Sequence, residues 1–367
     1  MYSLVRFLKK QTLPNLILHA VVSGLVVVFR LPGIVMWAIT AAMFLWLYLA
    51  RSFTFVGTVL RGLLYVGITF LTLYIFLPTL WARPISEFAT FISMAPFTWS
   101  GTELYFGQSY PQDQIPFGHF LVYFIISMPP VLIGFFLVGL IMIAREVFVG
   151  KRLFDPAANG SVLAVLSVLV TLEIFLVQRP LVYNGWRHVL FFYPIFLLVV
   201  MEGIRLLWNW IGQFSAPWAK GANGLIALLL GGQILLLGVF IFQSHPYQFT
   251  YYNRLAGKDY AEIRQNFEMD YWGLSNRTAL EKILAKDDSP VIIITSDEYF
   301  SVEQNLLILT EEQRGRVLLL RAETGEGSDY FITKYGKSVD LEIPGYRLID
   351  SVIVNGAIIN GTYLPPK

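Results

Sequence analysis

The feature that most constrains this chain is a succession of apolar runs before His245, each about 17–25 residues long, the length that crosses a bilayer as a helix. From His245 onward the sequence becomes an ordinary mixture of polar and apolar residues. With 56% hydrophobic and only 14% charged residues, the whole is far less charged than a typical soluble domain. The runs predict about seven spans, near 13–29, 32–50, 55–81, 118–144, 161–178, 186–208 and 223–243. The expected fold is therefore a polytopic α-helical membrane protein with a C-terminal extracytoplasmic α/β domain. Its domains are a transmembrane part over 1–244, with an outer loop at 82–117, and a soluble part over 245–367.

Orientation is read from Lys and Arg, which resist translocation. If the spans alternate, Arg6, Lys9, Lys10, Arg51, Arg61, Arg145, Lys151, Arg152, Arg205 and Lys220 share one side, which should be cytoplasmic. Only Arg30, Arg83, Arg179 and Arg187 lie on the other. The net charge of +2 conceals a division: residues 1–244 carry 14 basic against 7 acidic side chains, and 245–367 carry 13 against 18. No basic cluster points to nucleic acid. There is no cysteine, so disulfides, thiolate metal sites and cysteine nucleophiles are excluded. Nothing in the spacing calls for a metal or cofactor. The basic start and the apolar run Leu16 to Phe29 imitate a signal peptide, but no small-residue cleavage site follows and another span comes at once.

In the tail, Asp259 to Phe267 and Ser275 to Lys286 predict helices, and Val291 to Thr295 predicts a buried strand. Thr310-Glu311-Glu312-Gln313 has capping-box spacing. Val317 to Leu320 and Tyr330 to Thr333 predict strands, and Tyr346 to Tyr363 predicts a hairpin turning at Asn355-Gly356.

Ionisable groups at membrane depth are costly, so each asks for a reason. The densest group runs from Arg179 to His188 between the fifth and sixth spans. Arg187 and His188, with Tyr183 and Asn184 beside them, would suit a phosphate at a helix N-terminus. Equally, Arg179 and Arg187 could snorkel to headgroups within an aromatic belt. Glu173, one to two turns below Arg179, is placed to pair with Arg179 or Arg187, and Arg30 to face the same cavity. Glu202 reads as solvated at a span end. The outer loop offers Glu103, Gln108 and Asp113 as candidates. It is expected to be ordered along the membrane surface, after a short interfacial helix from Ser86 to Met94.

Several segments together carry a resemblance. They are Tyr183-Asn184-Gly185-Trp186-Arg187-His188 leading into a helix with Pro194, His245-Pro246-Tyr247 with Tyr252-Asn253, and Asp270-Tyr271-Trp272-Gly273. Trp99 to Gly107, Pro116-Phe117 and the Arg30 corner complete the set, which runs along nearly the whole chain. It resembles the GT-C superfamily of membrane glycosyltransferases, in the branch of dolichyl-phosphate-mannose–protein mannosyltransferases and their bacterial, glycosyltransferase family 39-like relatives. The resemblance implies inverting sugar transfer from a polyprenyl-phosphate carrier to an extracytoplasmic acceptor at a bacterial inner membrane. Arg187 and His188 would steady the departing phosphate, and a carboxylate would act as base. The family carries that carboxylate in its first external loop. Here the first external loop is the tight corner at Arg30, which holds no acid, and Glu103 and Asp113 do not match the position. The expectation is thus the C-terminal part of the family's pattern: truncated, split with an N-terminal partner chain, or inactive. The alternatives are a non-catalytic subunit that binds a lipid-linked sugar, and a transporter for one. For a transporter internal repeats are expected and none is found, although Pro129-Pro130 breaks the fourth span.

Overall fold

The computed structural model describes residues 1–93, 101–155, 158–174, 185–270, 272–322, 324–335 and 341–366, excluding the side chain of Gln112. Down the chain come helices α1 (Tyr2–Lys9), α2 (Leu13–Phe29), α3 (Val35–Leu49), α4 (Phe55–Phe76) and α5 (Pro84–Ser93). A hairpin of β1 (Thr102–Tyr105) and β2 (Gln108–Pro111) follows. Next come α6 (His119–Ser127), α7 (Pro130–Ala144), α8 (Asn159–Glu173), α9 (Phe192–Ile211) and α10 (Ala216–Gln243). The tail holds α11 (Tyr260–Asn266), α12 (Ser275–Lys286), β3 (Ile292–Ser296), α13 (Tyr299–Leu306), α14 (Glu311–Gly315), β4 (Val317–Leu319), β5 (Tyr330–Lys334), β6 (Arg347–Val354) and β7 (Ala357–Leu364). Two compact units result: Met1–Thr98, Pro130–Val182 and Trp186–Leu230 in the first, and Trp99–Pro129, Tyr183–Gly185 and Gly231–Lys367 in the second.

Among the described residues, five helical stretches are long and apolar enough to cross a membrane: Leu31–Leu49, Phe55–Phe76, Pro130–Val149, Phe192–Ile211 and Ala216–Gln243. Leu13–Phe29 and Asn159–Glu173 are shorter apolar helices. Their exposed surfaces are greasy: on α10 only Gln233 is buried, while Ile234, Leu235 and Phe242 stand exposed. A helix apolar all round suits lipid rather than water. The molecule is thus a helical membrane protein with a C-terminal sheet region.

Inside the first unit, polar side chains are paired within the helix packing. His19 accepts or donates at both ring nitrogens, to Ser3 Oγ (3.0 Å) and Thr40 Oγ1 (2.9 Å), and stacks on Tyr65. Glu202 departs from the expectation of a solvated carboxylate. It is buried, accepts from Ser161 Oγ at 2.8 Å, and takes a bidentate pair from Arg205 at 2.8 and 2.7 Å. Helices α7 and α9 meet where Gly139 abuts Gly203; a Cβ on Gly139 would lie 2.6 Å from the Val199 carbonyl. Small residues at such crossings let apolar helices approach closely. Further along both helices Arg145 and Arg205 line one cavity, so α7 and α9 run in the same direction.

The second unit centres on a five-stranded sheet in the order β4-β3-β5-β7-β6. Strand β3 is parallel to both β4 and β5, and the β6–β7 hairpin completes the sheet antiparallel to β5. The hairpin turns at Asn355-Gly356, both at positive φ, as its sequence predicts. Thr310 and Gln313 form the expected capping box of α14. The outer loop is more regular than expected: β1 and β2 pair antiparallel around a Phe106-Gly107 turn, with Tyr105 bridged to Phe267.

The expected span over 118–144 is corrected. Helix α6 stops at Ser127, Met128 is extended, and α7 starts afresh at Pro130. Pro129 and Pro130 have no N–H, so the carbonyls of Ile125 and Ile126, four residues back, lose their helical donors. Asn253 replaces them. Its backbone N–H donates to Ile126 O (2.7 Å), and its side-chain amide to Ile125 O (2.7 Å) and Met128 O (2.7 Å). Asn253→Ala should remove the donor to Met128 O and leave Ile125 O with only the Met128 N–H at 3.3 Å, at a cost on the order of 1–3 kcal/mol. The check is a lowered thermal unfolding midpoint of the full chain in detergent, with Asn253→Asp, which also lacks the donor, behaving alike.

Candidate functional site

Two clusters stand out, one in each unit. In the first, Arg30 closes the C-terminal end of α2, its N–H bonded to Val26 O. The following Leu31–Ile34 turn carries the proline and glycine that make the corner. The Arg30 guanidinium reaches Arg187, 157 residues away, and its Nη1 donates to the Arg187 carbonyl at 3.0 Å. Arg187 Nε donates to His188 Nε2 at 3.0 Å. Arg187 and His188 lie half-buried in a short 3-10 turn, Arg187–Val189, ahead of α9. The sequence reading placed them directly on the α9 N-terminus; the helix begins at Phe192 instead.

Two guanidinium groups and an imidazole thus share the entrance to α9. Trp186 and Tyr193 lie nearby as a tilted aromatic pair, their centroids 6.0 Å apart. Arg30 is exposed, which suits an anion arriving from solvent or headgroup level. Tyr183 and Asn184 lie outside the described residues. Glu173 ends α8 exposed and makes no ion pair with a described residue, so the expected Glu173–Arg187 pair is not formed; Arg179 lies outside the described residues.

The second cluster was not legible as a unit. Glu103 on β1 is 1% exposed, which corrects its placement on an open loop. Its carboxylate pairs with His119 Nε2 at 2.8 Å and accepts from the Gly185 N–H at 3.0 Å. Tyr123, one turn after His119 on α6, donates its hydroxyl to Leu104 O at 2.9 Å. Around these pack Tyr105, Tyr252 and Phe267, ring against ring. Tyr252 OH donates to the Glu268 carbonyl (2.8 Å), and Lys334 Nζ donates to Glu268 Oε1 (3.4 Å). Gln108 is exposed on β2, its Oε1 accepting from Tyr110 OH, and Asp113 is exposed on a single 3-10 turn. Of the three outer-loop candidates, only Glu103 joins a cluster.

Two other segments of the resemblance have structural duties. Asn253 repairs the proline break. Asp270 caps α12, its oxygens accepting from Leu274 N and Ser275 N at 3.0 Å each. No group of metal-ligating side chains is assembled among the described residues. Comparison with protein-family models, with curated proteins and with solved structures found no match to this chain.

Burial pushes the Glu268 carboxyl up to about 7; Lys334 opposes the rise and the nearby Glu103 charge adds to it. A free Glu titrates near 4.3, so between that value and about 7 the folded state holds a proton that the unfolded chain has released. Stability from this group is present at low pH and declines as pH rises through that window. Unfolding midpoints measured from pH 5 to 8 should fall less steeply in Glu268→Gln than in the parent; parallel slopes would remove this assignment.

Proposed function

We propose that the chain is a membrane glycosyltransferase of GT-C type, or the larger part of one. It would transfer a sugar from a polyprenyl-phosphate carrier to an acceptor outside the cytoplasm. The observation that carries this reading is the convergence of Arg30, Arg187 and His188 at one end of the apolar helices. In the reaction an acceptor hydroxyl gives its proton to a carboxylate base and attacks the anomeric carbon as the bond to the phosphate oxygen breaks, the phosphate leaving with the electron pair. The departing phosphate gains negative charge, and fixed guanidinium groups aimed at it lower the barrier most where charge develops. Arg30 and Arg187 supply two such groups, and bidentate guanidinium–phosphate pairing gives orientation as well as charge. His188 orients Arg187.

A second reading has its own support. No described carboxylate belongs to this cluster: Glu173 is unpaired with it, and Glu103 is tied to His119 and the Gly185 amide. A subunit that binds a lipid-linked sugar and leaves catalysis to a partner would look the same. The proposed setting is a bacterial inner membrane, with the sheet-bearing tail outside the cytoplasm, on the strength of ten basic residues against four.

Arg187→Ala should weaken binding of a short-chain polyprenyl phosphate by about tenfold or more, the scale of a lost charge-assisted pair. Binding of the corresponding alcohol should stay unchanged. Equal loss for phosphate and alcohol would show that the arginine supports the fold rather than reads the phosphate. Transfer of sugar by the purified chain alone separates the enzyme from the binding subunit. A reporter fused after residue 367 should be active only outside the cytoplasm; cytoplasmic activity would reverse the orientation.

A further inference from the structure

At the far end of α9 from Arg187 and His188, a cavity of about 630 Å³ opens between α9 and the π-helical turn Arg145–Val149 that prolongs α7. All of it lies within the first unit. Gly150 closes the turn, its N–H donating to Arg145 O at 2.8 Å; a Cβ there would lie 2.6 Å from the Glu146 carbonyl oxygen. Lys151 follows at a φ of 54°, and the chain reverses so that Arg152 Nη1 donates to Glu146 Oε1 at 2.7 Å. Arg145, Arg152 and Arg205 thereby line one cavity, with Glu146 as the single carboxylate in its wall among the described residues.

The three arginines are not equivalent. Arg205 is bonded twice to the buried Glu202, and Arg152 holds Glu146 and, at 3.5 Å, Asp155. Arg145 has no carboxylate partner among the described residues. Its guanidinium lies 6.0 Å from the Trp210 ring centroid, a contact that positions a cation without cancelling its charge. Asn209 and Gln213 in the same wall make no side-chain hydrogen bond among the described residues, so two carboxamide donors are open. With Lys151, exposed in the same turn, four basic groups stand against Glu146, Asp155 and Glu202, an excess of one positive charge. A phosphodiester, with one negative charge and several acceptor oxygens, matches that excess, the guanidinium fork and the amide donors. Glu146 is already engaged by Arg152, so the wall favours a net anion over a headgroup that carries its own ammonium.

The setting decides between a lipid and a soluble ligand. The cavity lies where the apolar stretches Pro130–Val149 and Phe192–Ile211 end. Phe148, Val149, Trp208 and Phe214 stand exposed at this end, and tryptophan there belongs at headgroup level. Basic pockets between membrane helices hold lipid headgroups. We infer that this cavity binds the phosphodiester headgroup of an anionic membrane phospholipid, with Arg145 as the fixed cation and Asn209 and Gln213 as further donors.

The inference needs only that these helices cross a bilayer; it holds whatever becomes of the transferase reading or the orientation. The test is native mass spectrometry of the full chain in detergent, titrated separately with phosphatidylglycerol and with phosphatidylcholine of the same acyl chains. Phosphatidylglycerol should bind more tightly, and glycerol 3-phosphate at the same concentration should not displace it. Arg145→Gln should weaken the tightest phosphatidylglycerol by about fivefold or more, the scale of one basic residue at an anionic surface. Its thermal unfolding midpoint should be unchanged, because Arg145 is exposed and makes no ion pair with a described residue. Arg83→Gln, an equal loss of charge at another exposed position, should bind like the parent. Equal affinity for the two lipids, or equal loss in the two variants, would overturn the inference. Displacement by glycerol 3-phosphate would overturn it too, by making the ligand a soluble phosphate ester.

Discussion

Every peptide group in an apolar helix must find its partner inside the protein, because lipid offers none. That constraint explains the most unusual local arrangement in this chain. Pro129 and Pro130 interrupt a run that composition alone would carry straight across a bilayer. The carbonyls they orphan are met by one asparagine, Asn253, with its backbone and side chain together. The segment before the break, α6, can then belong to the same compact unit as the sheet, while α7 belongs to the other. One residue distant in sequence thereby permits a change of unit in the middle of an apolar stretch.

The same economy governs charge. Glu202 is surrounded by Ser161 and Arg205, and His19 by Ser3 and Thr40. These are satisfied groups, whose removal would leave a partner stranded in an apolar setting. Arg30 and Arg187 differ. Arg30 Nη1 donates to the Arg187 carbonyl and Arg187 Nε to His188, contacts that hold the two guanidinium groups beside each other. Two positioned guanidinium groups at one place suit the phosphate of the function proposed.

Much of the architecture was written in local pattern. Helix α12, the capping box at Thr310 and the Asn355-Gly356 hairpin each depend on a few neighbouring residues, and each formed where its signal lay. The apolar helices were legible for the same reason. The misses share another cause: they depend on contacts between distant segments. Nothing near Glu103 announces that His119 and Gly185 will close over it, and nothing near Glu202 announces Ser161. The proline pair was visible, but its repair by a residue 123 or more positions later was not. At the candidate site the reading of Arg30 with Arg187 and His188 met a real contact, whereas Glu173 proved to stand apart from it.

The central claim is that Arg30 and Arg187 form one phosphate site. The chain contains no cysteine, so it gives a clean background for cross-linking. Arg30→Cys with Arg187→Cys, treated in membranes with a short bismaleimide, should yield an intramolecular link. Single-arginine variants retaining one cysteine should give none. The parent chain should bind a short-chain polyprenyl phosphate more tightly than the matching polyprenol, and the doubly substituted chain should bind the two alike. Absence of the link, or a preference for the phosphate that survives the double substitution, would contradict the account.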